Sequence, residues 1–166
     1  MSDLIIGIDP GLHGAVAVLD GAGHLIAVHD MPTLPDGARG RNAVNAPLLA
    51  SIIFQSHASV AYCELVGPRP GEGAVQSFGF GRSRGVIEGV LAAASVSVAM
   101  LSPPAWKRTV GITPGKDNMK AVARSEAIRR WPDKAALFAR VKDDGRAEAA
   151  LIAVAGLMRD YRAKAA

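Results

Sequence analysis

The sequence predicts an α/β chain built on a mixed five-stranded sheet flanked by helices. Three observations carry that prediction. The first 30 residues alternate short branched apolar runs with turn signals, as hairpins do. From residue 42 onward, apolar runs of strand length alternate with amphipathic segments of helix length, as crossover units do. Finally, 166 residues correspond to one domain, residues 1–166, long enough to bury a sizeable core.

Each element follows in order. Residues 4–8, Leu-Ile-Ile-Gly-Ile, read as a strand that Asp9-Pro10-Gly11 ends sharply. Residues 14–20 read as a second strand, and Asp20-Gly21-Ala22-Gly23 as the turn into a third at 24–30. Residues 31–41, rich in Pro, Gly and Arg, read as an exposed loop. A helix is predicted over 42–56, with Leu48, Leu49, Ile52 and Ile53 on its apolar side. A buried strand follows at 59–63 and ends in Glu64, and a loop spans Gly67 to Gly73. A helix is predicted over 80–94, where repeated glycines obscure the start, and a fifth strand over 96–101. Pro103-Pro104 suits the first turn of a short helix reaching Lys107. Helices are then predicted over 117–131, stopped before Pro132, and over 145–163.

Composition narrows the function classes. Cys63 is the one cysteine, which excludes an internal disulfide and a four-cysteine zinc site within one chain. No apolar run approaches membrane-spanning length, and Met1-Ser2-Asp3 precedes the first apolar run without a basic segment. The expected setting is a reducing cytoplasm. Charge is unevenly spread. Residues 1–68 hold two basic and six acidic residues, a net of −4; residues 69–166 hold 17 and nine, a net of +8. A basic second half suits a polyanionic partner.

The acids of the first half occupy telling positions. Asp9 ends the first strand and Glu64 the fourth. A carboxylate at the end of a buried strand is costly unless paired or bound to a cation, although Asp9 also suits the turn itself. A third cluster is Asp143-Asp144-Gly145-Arg146-Ala147-Glu148. Asp144 and Glu148, four apart, share one helix face, whereas Asp143 or Asp144 could equally cap the helix that follows. Convergent carboxylates suit hard divalent cations, magnesium or manganese, and two such ions serve phosphodiester hydrolysis. The four histidines are scattered; His13 lies near Asp9 and reads first as a polar turn residue.

These segments resemble the crossover-junction endodeoxyribonucleases of the RuvC type, found in bacteria and phages. The resemblance rests on Ile-Gly-Ile-Asp-Pro-Gly-Leu at 6–12 and Tyr-Cys-Glu at 62–64. It extends to Pro-Pro-Ala-Trp-Lys-Arg-Thr-Val-Gly at 103–111 and Asp-Asp-Gly-Arg-Ala-Glu-Ala-Ala-Leu-Ile-Ala at 143–153. Together they run across nearly the whole chain in the family's order. The resemblance implies a ribonuclease H-like fold and metal-dependent cleavage of four-way (Holliday) DNA junctions, leaving a 5′-phosphate and a 3′-hydroxyl. It implies Asp9, Glu64 and Glu148 as catalytic metal ligands, with two Mg2+ ions per site and Mn2+ as a substitute. The family's last acid is usually Asp, and the remaining one commonly lies three residues before it. Here that position is Gly145, so Asp144 is preferred as the fourth ligand for its helical spacing, with Asp143 as the alternative. Lys107 matches a family lysine near the scissile phosphate, and Lys116 or Lys120 matches a second.

The DNA contacts are expected from the basic half. Lys116, Lys120 and Arg124 are spaced by four and form a helical stripe; Arg82, Arg84, Lys107 and Arg108 add to it. Phosphate contacts of this kind position DNA without reading sequence. Phe78 and Phe80 fall where, by resemblance, the protein approaches the junction centre and an aromatic can stack on a base; core or dimer contact is the other reading. A junction cut on two opposed strands needs two sites, so a homodimer is expected, with the 80–94 helix as interface candidate or as a sheet-packing element. Two other function classes compete. An actin-like or sugar-kinase ATPase fragment would share the Asp-Gly hairpin, but 166 residues do not supply two flanking lobes. A DNA-binding structural protein without chemistry would have no need of Asp9, Glu64 and Glu148.

Overall fold

The computed structural model describes residues 4–36, 40–67, 71–113 and 119–165. Its frame follows from the period-two pattern at the start of the chain. β1 (Ile5–Asp9), β2 (Ala15–Leu19) and β3 (Leu25–Asp30) pair as an antiparallel meander. The stretch from 31 to 45 departs from the expected loop and helix start. β4 (Thr33–Pro35) and β5 (Asn42–Val44) pair as a small antiparallel ribbon. The helix α1 (Ala46–Ser56) then begins four residues later than predicted, because the Asn45 side chain caps it by accepting from the Leu48 N–H at 3.2 Å.

β6 (Val60–Glu64) lies parallel to β1, and β7 (Ser97–Leu101) lies parallel to β6. The sheet order is β3-β2-β1-β6-β7, the mixed five-stranded sheet expected. Between β6 and β7 runs α2 (Ala74–Ala93), which starts six residues before the predicted helix. Ser83, Ile87 and Leu91, four apart, anchor it to the sheet, and the helix propagates backwards through Gly79 and Gly81 despite their poor propensity. α3 (Pro103–Thr109) carries both prolines in its first turn. α4 (Met119–Arg130) ends before Pro132, and two short 3₁₀ segments, Pro132–Phe138 and Val141–Asp143, lead into α5 (Asp144–Ala165). Those 3₁₀ turns lack a sequence period and were not predicted. The predicted helix residues 117 and 118, and the loop residues 37–39 and 68–70, lie outside the described residues.

Strand parity divides the core. Ile6, Ile8, Val16, Val18, Ala61 and Cys63 face α1 and α2, packing with Leu49, Ile53, Ile87 and Leu91. Ile5, Ala17, Leu19 and Tyr62 face α5, together with Trp106 of α3 and Ala123 and Ala127 of α4. α5 comes closest to the sheet at Gly7, in the middle of β1. A Cβ there would stand 2.0 Å from the Ala149 carbonyl oxygen and 2.8 Å from the Ala153 Cβ. The Tyr62 hydroxyl donates to Asp160 Oδ2 at 2.5 Å and holds the distal half of α5. Among the described residues no helix is long and apolar enough to cross a membrane.

Gly7→Ala has no space to occupy without moving α5. It is expected to cost about 3 kcal/mol and lower Tm by about 6–12 °C, read by thermal melting.

Candidate active site

The parity that puts Gly7 under α5 also points the ends of two central strands toward the start of that helix. Asp9 shares its side of β1 with Ile5 and Gly7, and Glu64 shares its side of β6 with Tyr62. The parallel register pairs Ile8 with Cys63, so the next residues, Asp9 and Glu64, end neighbouring strands side by side. α5 contributes Asp144 in its first turn and Glu148 one turn on. Asp9, Glu64, Asp144 and Glu148 line one pocket of about 480 Å³, with Lys120, Phe80, Ser83 and His13 also in its walls.

Each acid is held differently. Asp9 Oδ1 accepts from the Gly11 N–H at 3.4 Å, inside the turn that follows β1. Glu64 Oε1 accepts from the Trp106 indole N–H at 2.8 Å. Lys120 Nζ lies 2.5 Å from Asp144 Oδ2, and Lys107 Nζ lies 3.4 Å from Glu148 Oε1. Lys107 also sits over the Trp106 ring, 5.0 Å from its centroid.

The structure parts the two adjacent aspartates. Asp144 already has helical dihedrals, φ −59° and ψ −43°, so it stands one true helical turn from Glu148. Asp143 does not line the pocket and is 1% exposed. Its carboxylate accepts from the Arg140 backbone N–H at 2.9 Å and from Arg140 Nη2 at 2.8 Å, which makes it the cap of the 3₁₀ turn. Arg146 clamps the same corner through Asp30, at 2.5 and 2.7 Å. Gly145, where the common family spacing would put an acid, lies against the β1–β2 turn. A Cβ there would stand 2.3 Å from the His13 carbonyl oxygen.

Electrostatics follow from this crowding. Burial first, then the charges of Glu148 and Glu64, push the Asp9 carboxyl up to about 7, against the Gly11 N–H. Burial likewise raises Glu148, with Lys107 opposing and Glu64 adding. For Asp144, burial works upward but is outweighed by the hydrogen bond and charge of Lys120, so its carboxyl is lowered. Behind the site, burial and then the Asp9 and Glu64 charges push the Cys63 thiol up to about 12, leaving it unreactive.

The remaining candidates are dispersed. Phe80 lines the pocket, whereas Phe78 is 74% exposed beside a second groove of about 340 Å³ between α2 and the ribbon. Arg82 lies in that groove, paired with Asp36. Arg84 is drawn away to Glu88, at 2.6 Å, and to the Val66 carbonyl. Arg108 is exposed at the end of α3, and Arg124 donates to the Val141 carbonyl at 3.2 Å. Lys116 lies outside the described residues. Trp106 is the site residue that sequence reasoning passed over. Its one signal was position, directly before Lys107 in a short helix.

The donor set fits a hard divalent cation. Four carboxylates share the pocket with Lys120 and, on Glu148, Lys107, so the acids outnumber the neighbouring cations by two. A carboxyl that keeps its proton to about pH 7 expresses that excess, which a cation would neutralise. Among the described residues, however, no three His, Cys, Asp or Glu side chains are gathered as a ready-made cation cage. The lysines hold two of the acids instead.

No protein-family model matches the sequence, and no curated protein sequence does. Among solved structures, the chain is similar to Thermus thermophilus RuvC in complex with a Holliday junction substrate. The TM-score is 0.62 at 15% identity, covering 98% of this chain and 96% of that one. A second Thermus thermophilus RuvC structure matches with a TM-score of 0.56 at 16% identity, over the same shares of the two chains. The fold is therefore ribonuclease H-like, a mixed five-stranded sheet flanked by helices as in those neighbours.

The crowding has a measurable cost. Asp9 holds its proton to about pH 7 when folded and to about 3.8 when unfolded, so the unfolded chain binds fewer protons across that window. Stability conferred by the protonated form is thus lost as pH rises toward 7. In EDTA, Asp9→Asn is expected to raise Tm at pH 8 by about 2–8 °C. The gain should shrink at pH 5, where the native carboxyl is protonated; differential scanning fluorimetry at the two pH values checks it.

Proposed function

We propose that this chain is a divalent-metal-dependent endodeoxyribonuclease that resolves four-way DNA junctions. The observation that carries this reading is the convergence of Asp9, Glu64, Asp144 and Glu148 on one pocket, with Lys107 and Lys120 reaching the same acids. Likeness of fold to a RuvC solved with a Holliday junction supports the choice of substrate.

Asp9, Glu64, Asp144 and Glu148 would hold the ions, Mg2+ or Mn2+. When bound, such ions supply an activated water and stabilise charge on the leaving oxygen. The chain's own residues do the rest. Asp9 and Glu64, fixed on adjacent strands, set one rigid side of the site, and the first two turns of α5 set the other. Lys107 and Lys120, which balance Glu148 and Asp144, are in reach to turn toward the scissile phosphate once those acids are otherwise neutralised. Water adds to phosphorus as the bond to the 3′ oxygen breaks, giving a 5′-phosphate and a 3′-hydroxyl. Phe78, exposed in the second turn of α2, is the aromatic suited to an unstacked base, while Phe80 forms part of the pocket wall. Arg82, Arg108, Lys120 and Arg124 contact phosphates.

Opposed strands of a junction need two sites, which a homodimer provides. The outer side of α2 supports that arrangement, because a Cβ at Gly81, Gly85 or Gly89 would meet nothing within 4 Å among the described residues.

Four-way, three-way and linear DNA are to be compared in a Mg2+-dependent nicking assay. The four-way junction is expected to be cut in preference, and Asp9→Asn to abolish cutting while junction binding persists in a gel shift. Asp144→Asn should slow cleavage by more than about 100-fold, exceeding the loss for an outer partner of a metal ligand. Asp143→Asn should instead cost about 0.5–2 kcal/mol of stability as a lost cap and leave cleavage near normal below its Tm. Metal-independent cutting, or ATP binding without nicking, would overturn the reading.

A further inference from the structure

We propose that Trp106 is a positioning residue that fixes the Glu64 carboxylate for cation binding and aligns Lys107 beside it. This rests on the nuclease reading above. The two buried tryptophan N–H groups of the described chain are satisfied differently. Trp131 Nε1 donates to a backbone carbonyl, that of Gly23, at 3.1 Å. That is the ordinary solution for an indole in a core. Trp106, only 1% exposed, donates at 2.8 Å to a carboxylate that lines the pocket. An uncharged donor to a carboxylate stabilises it without cancelling its charge, unlike the lysines on Asp144 and Glu148.

The bond also orients the group. By accepting from the indole, Oε1 of Glu64 fixes the plane of the carboxylate, whose remaining lone pairs would be available to a cation. The Trp106 ring is locked by the core on the α5 side of the sheet, together with Leu101, Val110 and Ile112. The carboxylate is thereby tied to the rigid part of the protein and not to solvent. The ring face does a second task. Lys107 Nζ lies 5.0 Å from its centroid while also approaching Glu148 at 3.4 Å. One indole therefore orders an acid through its edge and a lysine through its face. α3 can do this because Pro103 and Pro104 fix its first turn immediately after β7.

Trp106→Phe deletes the N–H and keeps an aromatic in the core. Mn2+ binding by calorimetry is expected to weaken about 10–100-fold, the range for outer partners of metal ligands. The Mg2+ midpoint of single-turnover cleavage should rise with it, while junction affinity in EDTA stays unchanged. In a Glu64→Ala background the same change should have no further effect on Mn2+ affinity, because the partner through which it acts is gone. Should Trp106→Phe not fold, benzothienylalanine at 106 keeps the shape of indole without the donor and makes the same test. Unchanged Mn2+ affinity, or an equal loss with and without Glu64, would overturn the positioning role and leave the nuclease reading standing. A wild-type chain that neither binds Mn2+ nor cuts junctions would overturn both.

Discussion

The close seat of α5 on β1 is the constraint from which the site follows. At Gly7 the helix backbone comes so near that not even a methyl group fits between. Ala149 and Ala153 complete the contact from the helix side, so neither partner can slide without a clash. A helix pinned this tightly has one rotation and one height above the sheet. Asp144 and Glu148 inherit that placement. Asp9, two residues beyond Gly7 on the same side of β1, lies at the far end of the same contact. A site built from convergent side chains needs them held closely, and here the accuracy comes from backbone packing.

Packing alone would force like charges together, and the balance of the pocket shows how this is tolerated. Lys120 takes Asp144, Lys107 approaches Glu148, and the indole of Trp106 takes Glu64. Among the described residues Asp9 has only the Gly11 N–H, so it carries the strain of the group as a carboxyl pushed up to about 7 by burial and by its neighbours' charges. The arrangement keeps negative charge in one place at some cost in stability. Asp143 shows the contrast within one peptide bond. The same residue type, turned to Arg140 and buried there, holds its carboxyl below the ordinary range and serves structure.

Much of this was legible in the sequence because it follows from period and position. Acids directly after apolar runs at 4–8 and 59–63 had to end strands, and the parallel pairing brought Asp9 and Glu64 to one end of the sheet. The order of hairpins and crossovers gave the five strands. What escaped has physical reasons as well. The ribbon at Thr33–Pro35 and Asn42–Val44 is too short for an alternation to register, and its residues are those of a loop. The early start of α2 escaped because glycine is a local signal, whereas helix propagation depends on the anchored residues downstream. Trp106 read as core, and it is core; its bond to Glu64 joins residues 42 positions apart and has no sequence signature.

The displaced fourth acid is where fold and sequence explain each other. The common spacing of the resembling family would place a carboxylate at 145, three before Glu148. In this chain the β1–β2 turn leans on the helix start, with the His13 carbonyl where a Cβ of residue 145 would be. Gly145 is therefore required by contact. Residues 145, 149 and 153 form the row that meets the sheet. Asp144 and Glu148 form the adjoining row, about 100° around the axis from it. That rotation brings the acids out of the interface and onto the lip of the pocket. With a helix that begins at Asp144 itself, the two are separated by about 40° and face the same opening. The contact that excludes a side chain at 145 thus leaves Asp144 as the residue of the helix start that faces the pocket with Asp9.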